Sequence, residues 1–388
     1  MKTKVLAFVT LLSLHFGIVK AQLSLRNNYH HLEFSGSVSS FYNYRNLKGG
    51  ISDKSKNRFA IRDAQFQFEY RFKKLWEAKF QFDLADLVTN GNDPENPGIL
   101  DAWVKFNGIK TLSVWMGYGI VPYSRSNFHG FSNTPYWSRA EIAKGTFFSS
   151  RDVGVMVQSN LFNQCLNIYA GVYTGLGELS IKGVNDPSGK LEYIGRIDFS
   201  FPSRYRYEDI DFRQVPRPIL AIGLNGRYAN KELPTGTLFP GGASSDFNVK
   251  VYNGQRLVYG ADIAFQWRGF SIISELHQLK ITPKDSTASE LKGLPMAKTK
   301  GYFLSGGWYV QVSYNLKKIN SIFSGRLEAF DGNDLNNGNS RILSCAYAYR
   351  FKKSTSMIKL QYWHYLNEEK GFESNWKDQI RIGFNIVI

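Results

Sequence analysis

The residues of this chain best placed to do chemistry are cations gathered in one segment. Residues 119–151 read GIVPYSRSNFHGFSNTPYWSRAEIAKGTFFSSR and carry Arg125, Arg139, Lys144 and Arg151 against one acid, Glu141. Fixed cations with few carboxylates beside them attract partly desolvated anions, so the chemistry is recognition rather than bond-making. The segment is rich in turn formers and aromatics, and it is far longer than an ordinary hairpin loop needs. Two placements fit it. Folded into a barrel, it would narrow the lumen and set cations at the constriction. Held outside, it would offer the same cations to lipopolysaccharide phosphates.

Bond-making chemistry has weaker support. Hydrolysis needs a nucleophile or activated water beside a histidine and a carboxylate. His277 shares strand parity with Glu275, but Ser271 and Ser274 belong to no nucleophile motif, so a hydrogen-bonded histidine is the expectation. His30-His31 has no further ligand at metal-binding spacing, and no glycine loop of the nucleotide-binding kind occurs. No enzyme activity, metal or cofactor is expected. Two cysteines, Cys165 and Cys345, do not make a disulfide framework in 388 residues.

The cations must be positioned by strands. In AQFQFEYRF, Ala64, Phe66, Phe68, Tyr70 and Phe72 face one way, while Gln65, Gln67, Glu69 and Arg71 face the other. Alternation with period two marks a half-buried strand. After Lys73-Lys74-Leu75 the pattern resumes in Ala78, Phe80, Phe82 and Leu84, which makes a hairpin with one apolar side. Similar pairs recur along the chain, one of them with its turn expected at Asn107-Gly108. About sixteen strands result. Short turns follow even-numbered strands and long segments follow odd-numbered ones. The polar stretch 201–218 is an exception, since a short turn is expected there.

A soluble sandwich or lipocalin-like barrel would also alternate, yet about sixteen strands enclose more space than side chains fill. The fold class expected is therefore an all-β antiparallel transmembrane β-barrel with an inward-folded constriction loop and both termini periplasmic. Aromatics flanking the short turns, among them Tyr70, Trp76, Trp267 and Tyr314, fit an interfacial girdle. Lys2 and Lys4 precede an apolar run, and Val19-Lys20-Ala21 offers a cleavage site, so residues 1–21 read as a secretory signal and 22–388 as the barrel. Removing that signal deletes three lysines and no acid, taking the formal charge from +16 to +13.

With the apolar parity given to lipid, Lys79, Lys105, Arg196, Arg326, Arg350 and Arg381 face the lumen, as do Glu69, Asp83, Asp101, Asp198, Glu275 and Glu328. This mixed wall reads as water-wetted surface and does not by itself make a selective filter. Acids interleaved with the bases argue against nucleic acid as a partner. A barrel-anchored surface-binding or adhesion protein, whose long loops do the work, is the alternative function.

RDAQFQFEYRFKKLWEAKFQFDLAD, ILDAWVKFNG, MGYGIVPYS and SSRDVGVMVQ, occurring in that order, resemble the phosphate-selective porin O and P family. The resemblance implies a sixteen-stranded trimeric porin of the Gram-negative outer membrane, inserted by the barrel assembly machinery. Its inward loop would line an anion-selective pore passing small solutes such as phosphate. Gly117 to Ser124 match the loop entry and Arg151-Asp152 the exit. The family's arginine ladder is not recoverable from this wall. The family also leads one to expect a terminal aromatic, where this chain has Ile388 at the end of the closing strand QIRIGFNIVI.

Overall fold

In a computed structural model of the chain, the described residues are 23–47, 57–85, 98–130, 133–143, 150–182, 186–232, 249–251, 253–284, 289–291, 294–295, 301–331, 334, 339–352, 354–366 and 376–387. The signal expected over 1–21 and Ile388 lie outside them. Sixteen antiparallel strands close into a ring. The first eight are β1 (His30–Leu47), β2 (Asn57–Phe72), β3 (Trp76–Asp83), β4 (Ile99–Ile109), β5 (Leu112–Ile120), β6 (Arg151–Leu161), β7 (Leu166–Tyr173) and β8 (Glu192–Phe201). The others are β9 (Ile219–Glu232), β10 (Asn253–Trp267), β11 (Phe270–Pro283), β12 (Phe303–Leu316), β13 (Ser321–Asp331), β14 (Asn339–Arg350), β15 (Met357–Tyr365) and β16 (Trp376–Val387).

Each strand pairs with its sequence neighbours, and β16 pairs with β1 through Ile380↔Tyr44 and Val387↔Ser37. A free edge at membrane depth would strand polar backbone groups in hydrocarbon, and closure removes it. The short strand Leu23–Arg26 pairs with β1 through Leu23↔Phe34, covering a stretch of β1 that lies beyond the register of β16. The sequence pattern did not show that strand, nor a small three-stranded sheet formed by Val249–Val251, Ser289–Leu291 and Leu294–Pro295.

The apolar parity faces outward as expected. In β8, Tyr193, Ile197 and Phe199 are exposed, while Ile194, Arg196 and Asp198 are buried. Exposed apolar side chains on a barrel wall face lipid, and the polar parity turns to the interior.

One turn differs from expectation. Asn107-Gly108 is a bulge inside the β4–β5 pairing, where the register shifts between Phe106 and Ile109, and the chain reverses at Lys110-Thr111. The Asn107 N–H donates to Leu75 O of the neighbouring turn at 2.7 Å, a bond made at the bulge rather than at the reversal. At the Arg268-Gly269 turn between β10 and β11, φ is positive at both residues (46° and 89°), the geometry of a two-residue hairpin.

Candidate functional site

Strand β5 stays paired with β6 through Ile120↔Arg151; within it Gly117 has a φ of 134°, which suits glycine alone, and a Cβ there would press on Ala102 O. The chain then enters the lumen. Val121 and Tyr123 are fully buried. Glu275 of β11 fixes this entry by accepting from the Ser124 hydroxyl at 2.5 Å, Ser126 N at 2.8 Å and Arg125 N at 3.2 Å. The Ser126 hydroxyl also reaches it, and the Tyr309 hydroxyl donates at 2.7 Å. His277 Nε2 lies 2.9 Å from Glu275 Oε2, and its Nδ1 is 3.0 Å from the Tyr123 hydroxyl. The carboxylate thus stands between the hydroxyls and the imidazole. A serine nucleophile would need the imidazole in that place, so this arrangement anchors a loop.

The far end of the segment crosses to the opposite strands. Trp137 N donates to Gln361 of β15 at 2.6 Å, the Ser324 hydroxyl of β13 donates to the Tyr136 hydroxyl at 2.8 Å, and Arg326 Nη1 donates to Ser138 O at 3.1 Å. Of the two placements read from the sequence, the segment takes the inward one.

The expected cations separate into two environments. Arg125 is fully buried, its guanidinium 2.7 Å from Asp262 and 3.0 Å from Asp198. Arg196 bridges the same two acids at 2.6 and 2.8 Å, and Arg227 pairs with Glu192 at 2.7 Å. Strands β8 to β10 behind the loop therefore form a buried lattice in which carboxylates match the guanidiniums.

Arg151 and Arg139 keep some exposure. Arg151 lies 3.4 Å from Asp101, which also holds Lys79 at 2.9 Å. Arg139 donates to His129 O at 3.2 Å. Burial and the nearby guanidiniums of Arg151 and Arg62 lower its pKa to about 10, so it remains a cation at neutral pH. Lys144 lies outside the described residues. Lys105 Nζ is 3.4 Å from Gln158 Oε1; Arg326 stacks 4.3 Å from the Tyr136 ring; Arg350 lies 4.5 Å from the Phe212 ring. Arg381 sits between the rings of Phe41 and Trp363, at 4.7 and 5.0 Å.

Sequence parity missed Arg62. The β1–β2 register runs from Ser39↔Asp63 to Ser40↔Ile61, which leaves Arg62 as the extra residue of a β-bulge. Outward Phe59 and Ile61 are odd-numbered and outward Phe66 and Tyr70 even-numbered, and that switch was the available signal. Through the bulge, Arg62 comes within electrostatic reach of Arg139, Lys359 and Arg381. Arg58 and Arg45 join them beside Arg381. Asp63, 3.8 Å from Arg62, is among the few acids nearby.

The exceptional stretch between β8 and β9 is a second inward segment. Tyr205, Ile210 and Asp211 are buried, and the Tyr207 hydroxyl donates to Asp198 at 2.6 Å. This segment meets the first one where Phe128 packs on Tyr207 at 4.7 Å and His129 contacts Asp209. Two segments entering from opposite ends thus touch inside the lumen.

Residues 33–201 match the family model of the phosphate-selective porins O and P. The matched span runs from β1 through the inward loop to β8, and it bears out the resemblance read from the motifs. The barrel also resembles solved porin-type structures. The trimer form of OmpT, an outer membrane protein of Vibrio cholerae, has a TM-score of 0.60 at 9% identity, with 93% of this chain and 100% of that chain covered. The anion-selective porin from Comamonas acidovorans has a TM-score of 0.54 at 11% identity, covering 92% and 100%. Salmonella typhi OmpF, solved with daunomycin, has a TM-score of 0.58 at 11% identity, covering 94% and 100%. No curated protein matches the chain by sequence. The family match and the closed ring mark an outer-membrane barrel of the porin type.

Proposed function

We propose that this porin-type barrel is a passive channel for small solutes that prefers anions, phosphate among them. The observation that carries the reading is the sorting of the cations. Arg125, Arg196 and Arg227 are sealed among carboxylates, whereas Arg58, Arg62, Arg139 and Arg151 keep contact with the lumen where the loop meets the wall. Cations lining a narrow, partly desolvated passage lower the barrier for anions and raise it for cations. The family match and the anion-selective structural relative support the same reading. Residues 1–21 would direct export, the barrel assembly machinery would insert the chain, and a homotrimer would be the working form.

The test is the reversal potential of single channels in a planar bilayer under a salt gradient, with phosphate added against chloride. Anion preference reduced by phosphate supports the proposal. Cation preference refutes it.

A further inference from the structure

The rim formed by the short turns carries a field of exposed cations. Hydrogen bonds link the turns in sequence around this rim, among them Asn160 N to Thr111 O at 2.9 Å, Ser200 N to Cys165 O at 2.7 Å, Asn315 N to Gly269 O at 2.8 Å and Arg350 N to Asn320 O at 2.8 Å. Short turns and both ends of the barrel mark the periplasmic side. Exposed on the turns are Lys73, Lys74, Lys110, Arg268, Lys317 and Lys318. Arg204, Arg206, Arg213 and Arg217, also exposed, extend this field across the mouth on the second inward segment.

The acids here are buried or half-buried and engaged within the protein. Glu208 lies 3.6 Å from Arg213, Asp209 contacts His129, and Asp211 accepts from Val215 N and Gly269 N at 2.9 and 2.8 Å. Among the described residues of these turns, no carboxylate is exposed. The cations stand level with outward aromatics. Lys73 Nζ is 4.6 Å from the Tyr29 ring centroid, Arg268 is 5.4 Å from that of Trp267, and Trp76 and Tyr314 are exposed on the same border. Such aromatics settle at the headgroup layer, so ammonium and guanidinium groups beside them meet lipid phosphates.

We propose that this rim binds anionic phospholipid headgroups of the inner leaflet, each phosphate held by turn lysines or arginines. The distribution favours lipid over an acidic protein. A protein would cover one patch, whereas these cations stand on separate turns around the ring, as a surrounding leaflet requires. The proposal rests on the barrel and its rim and is independent of pore selectivity.

The test uses the full barrel in phosphatidylcholine vesicles carrying trace spin-labelled phosphatidylglycerol or spin-labelled phosphatidylcholine. Electron spin resonance reads the fraction of each held immobile at the protein. The wild type should retain phosphatidylglycerol several-fold more than phosphatidylcholine, and high salt should shrink that ratio. A variant with Lys73→Gln, Lys74→Gln, Lys110→Gln, Arg268→Gln, Lys317→Gln and Lys318→Gln should retain the two alike. Equal retention by the wild type, or an unchanged ratio in the variant, overturns the proposal. Should the variant fail to insert, the salt series on the wild type decides, and a ratio indifferent to salt overturns it. Displacement by inorganic phosphate beyond that of chloride at matched ionic strength would assign the rim to free phosphate and also overturn it.

Discussion

Arg125 donates its Nε to Asp262 at 2.7 Å from inside a fully buried ion-pair lattice. The residue that charge and loop position nominate first as an anion ligand thus has its charge matched within the protein. That relationship separates what holds the loop from what the loop presents to a solute.

Arg125→Ala should therefore act on stability. Removing one partner of a buried ion pair leaves a carboxylate uncompensated and costs about 3–5 kcal/mol. Urea unfolding of the detergent-solubilised barrel should show the loss. The reversal potential of channels that do form should stay close to that of the wild type.

Arg62→Glu should act on selectivity. It replaces a cation by an anion beside Arg139, Lys359 and Arg381. A change of ~1–2 kcal/mol in pore electrostatics corresponds to roughly five- to thirtyfold in the anion-to-cation permeability ratio. A reversal potential within error of the wild type would remove Arg62 from the filter.

Glu275→Ala should free the loop entry. It deletes the acceptor shared by Ser124, Ser126 and Tyr309, and charged hydrogen bonds of this kind contribute about 1.5–3 kcal/mol each. The expected result is greater open-channel noise and faster proteolysis between residues 121 and 143. A quiet channel with an intact loop would show that the anchor lies elsewhere.

Replacing residues 203–217 by a short turn should raise single-channel conductance. The stretch fills lumen space with Tyr205, Tyr207 and Ile210, and it touches the first inward segment at Phe128. Conductance equal to that of the wild type would place the segment beside the conducting path.

Gly117→Ala should impair folding, because its Cβ would press on the backbone of Ala102 and Trp103 at 2.4 and 2.7 Å. Heat-modifiable migration on gels reads folded barrel against unfolded chain. Full recovery of the folded form would show that the wall accommodates a side chain at this position.

The sequence by itself determined the barrel. Period-two alternation sets which face of each strand is apolar, and a membrane barrel has only one way to use that face. Alternating loop lengths fixed which ends lie together, and the long basic segment after β5 stood out as the candidate constriction, with an external placement still open. QIRIGFNIVI was legible as a closing strand for the same reason, and its Gln379–Val387 part pairs with β1 in the ring.

Only the tertiary structure decided what each charge does. Arg125 and Arg139 look alike in the chain, yet one lies between Asp198 and Asp262 while the other lies near Arg151 and Arg62. The acids that match Arg125 lie more than 70 residues away in the chain, and no local pattern encodes them. The Arg62 bulge left a trace in the switch of apolar parity, but its consequence depends on which strands close the ring beside it. Alternation is a local property of the backbone. Charge pairing across a lumen is set by register and closure.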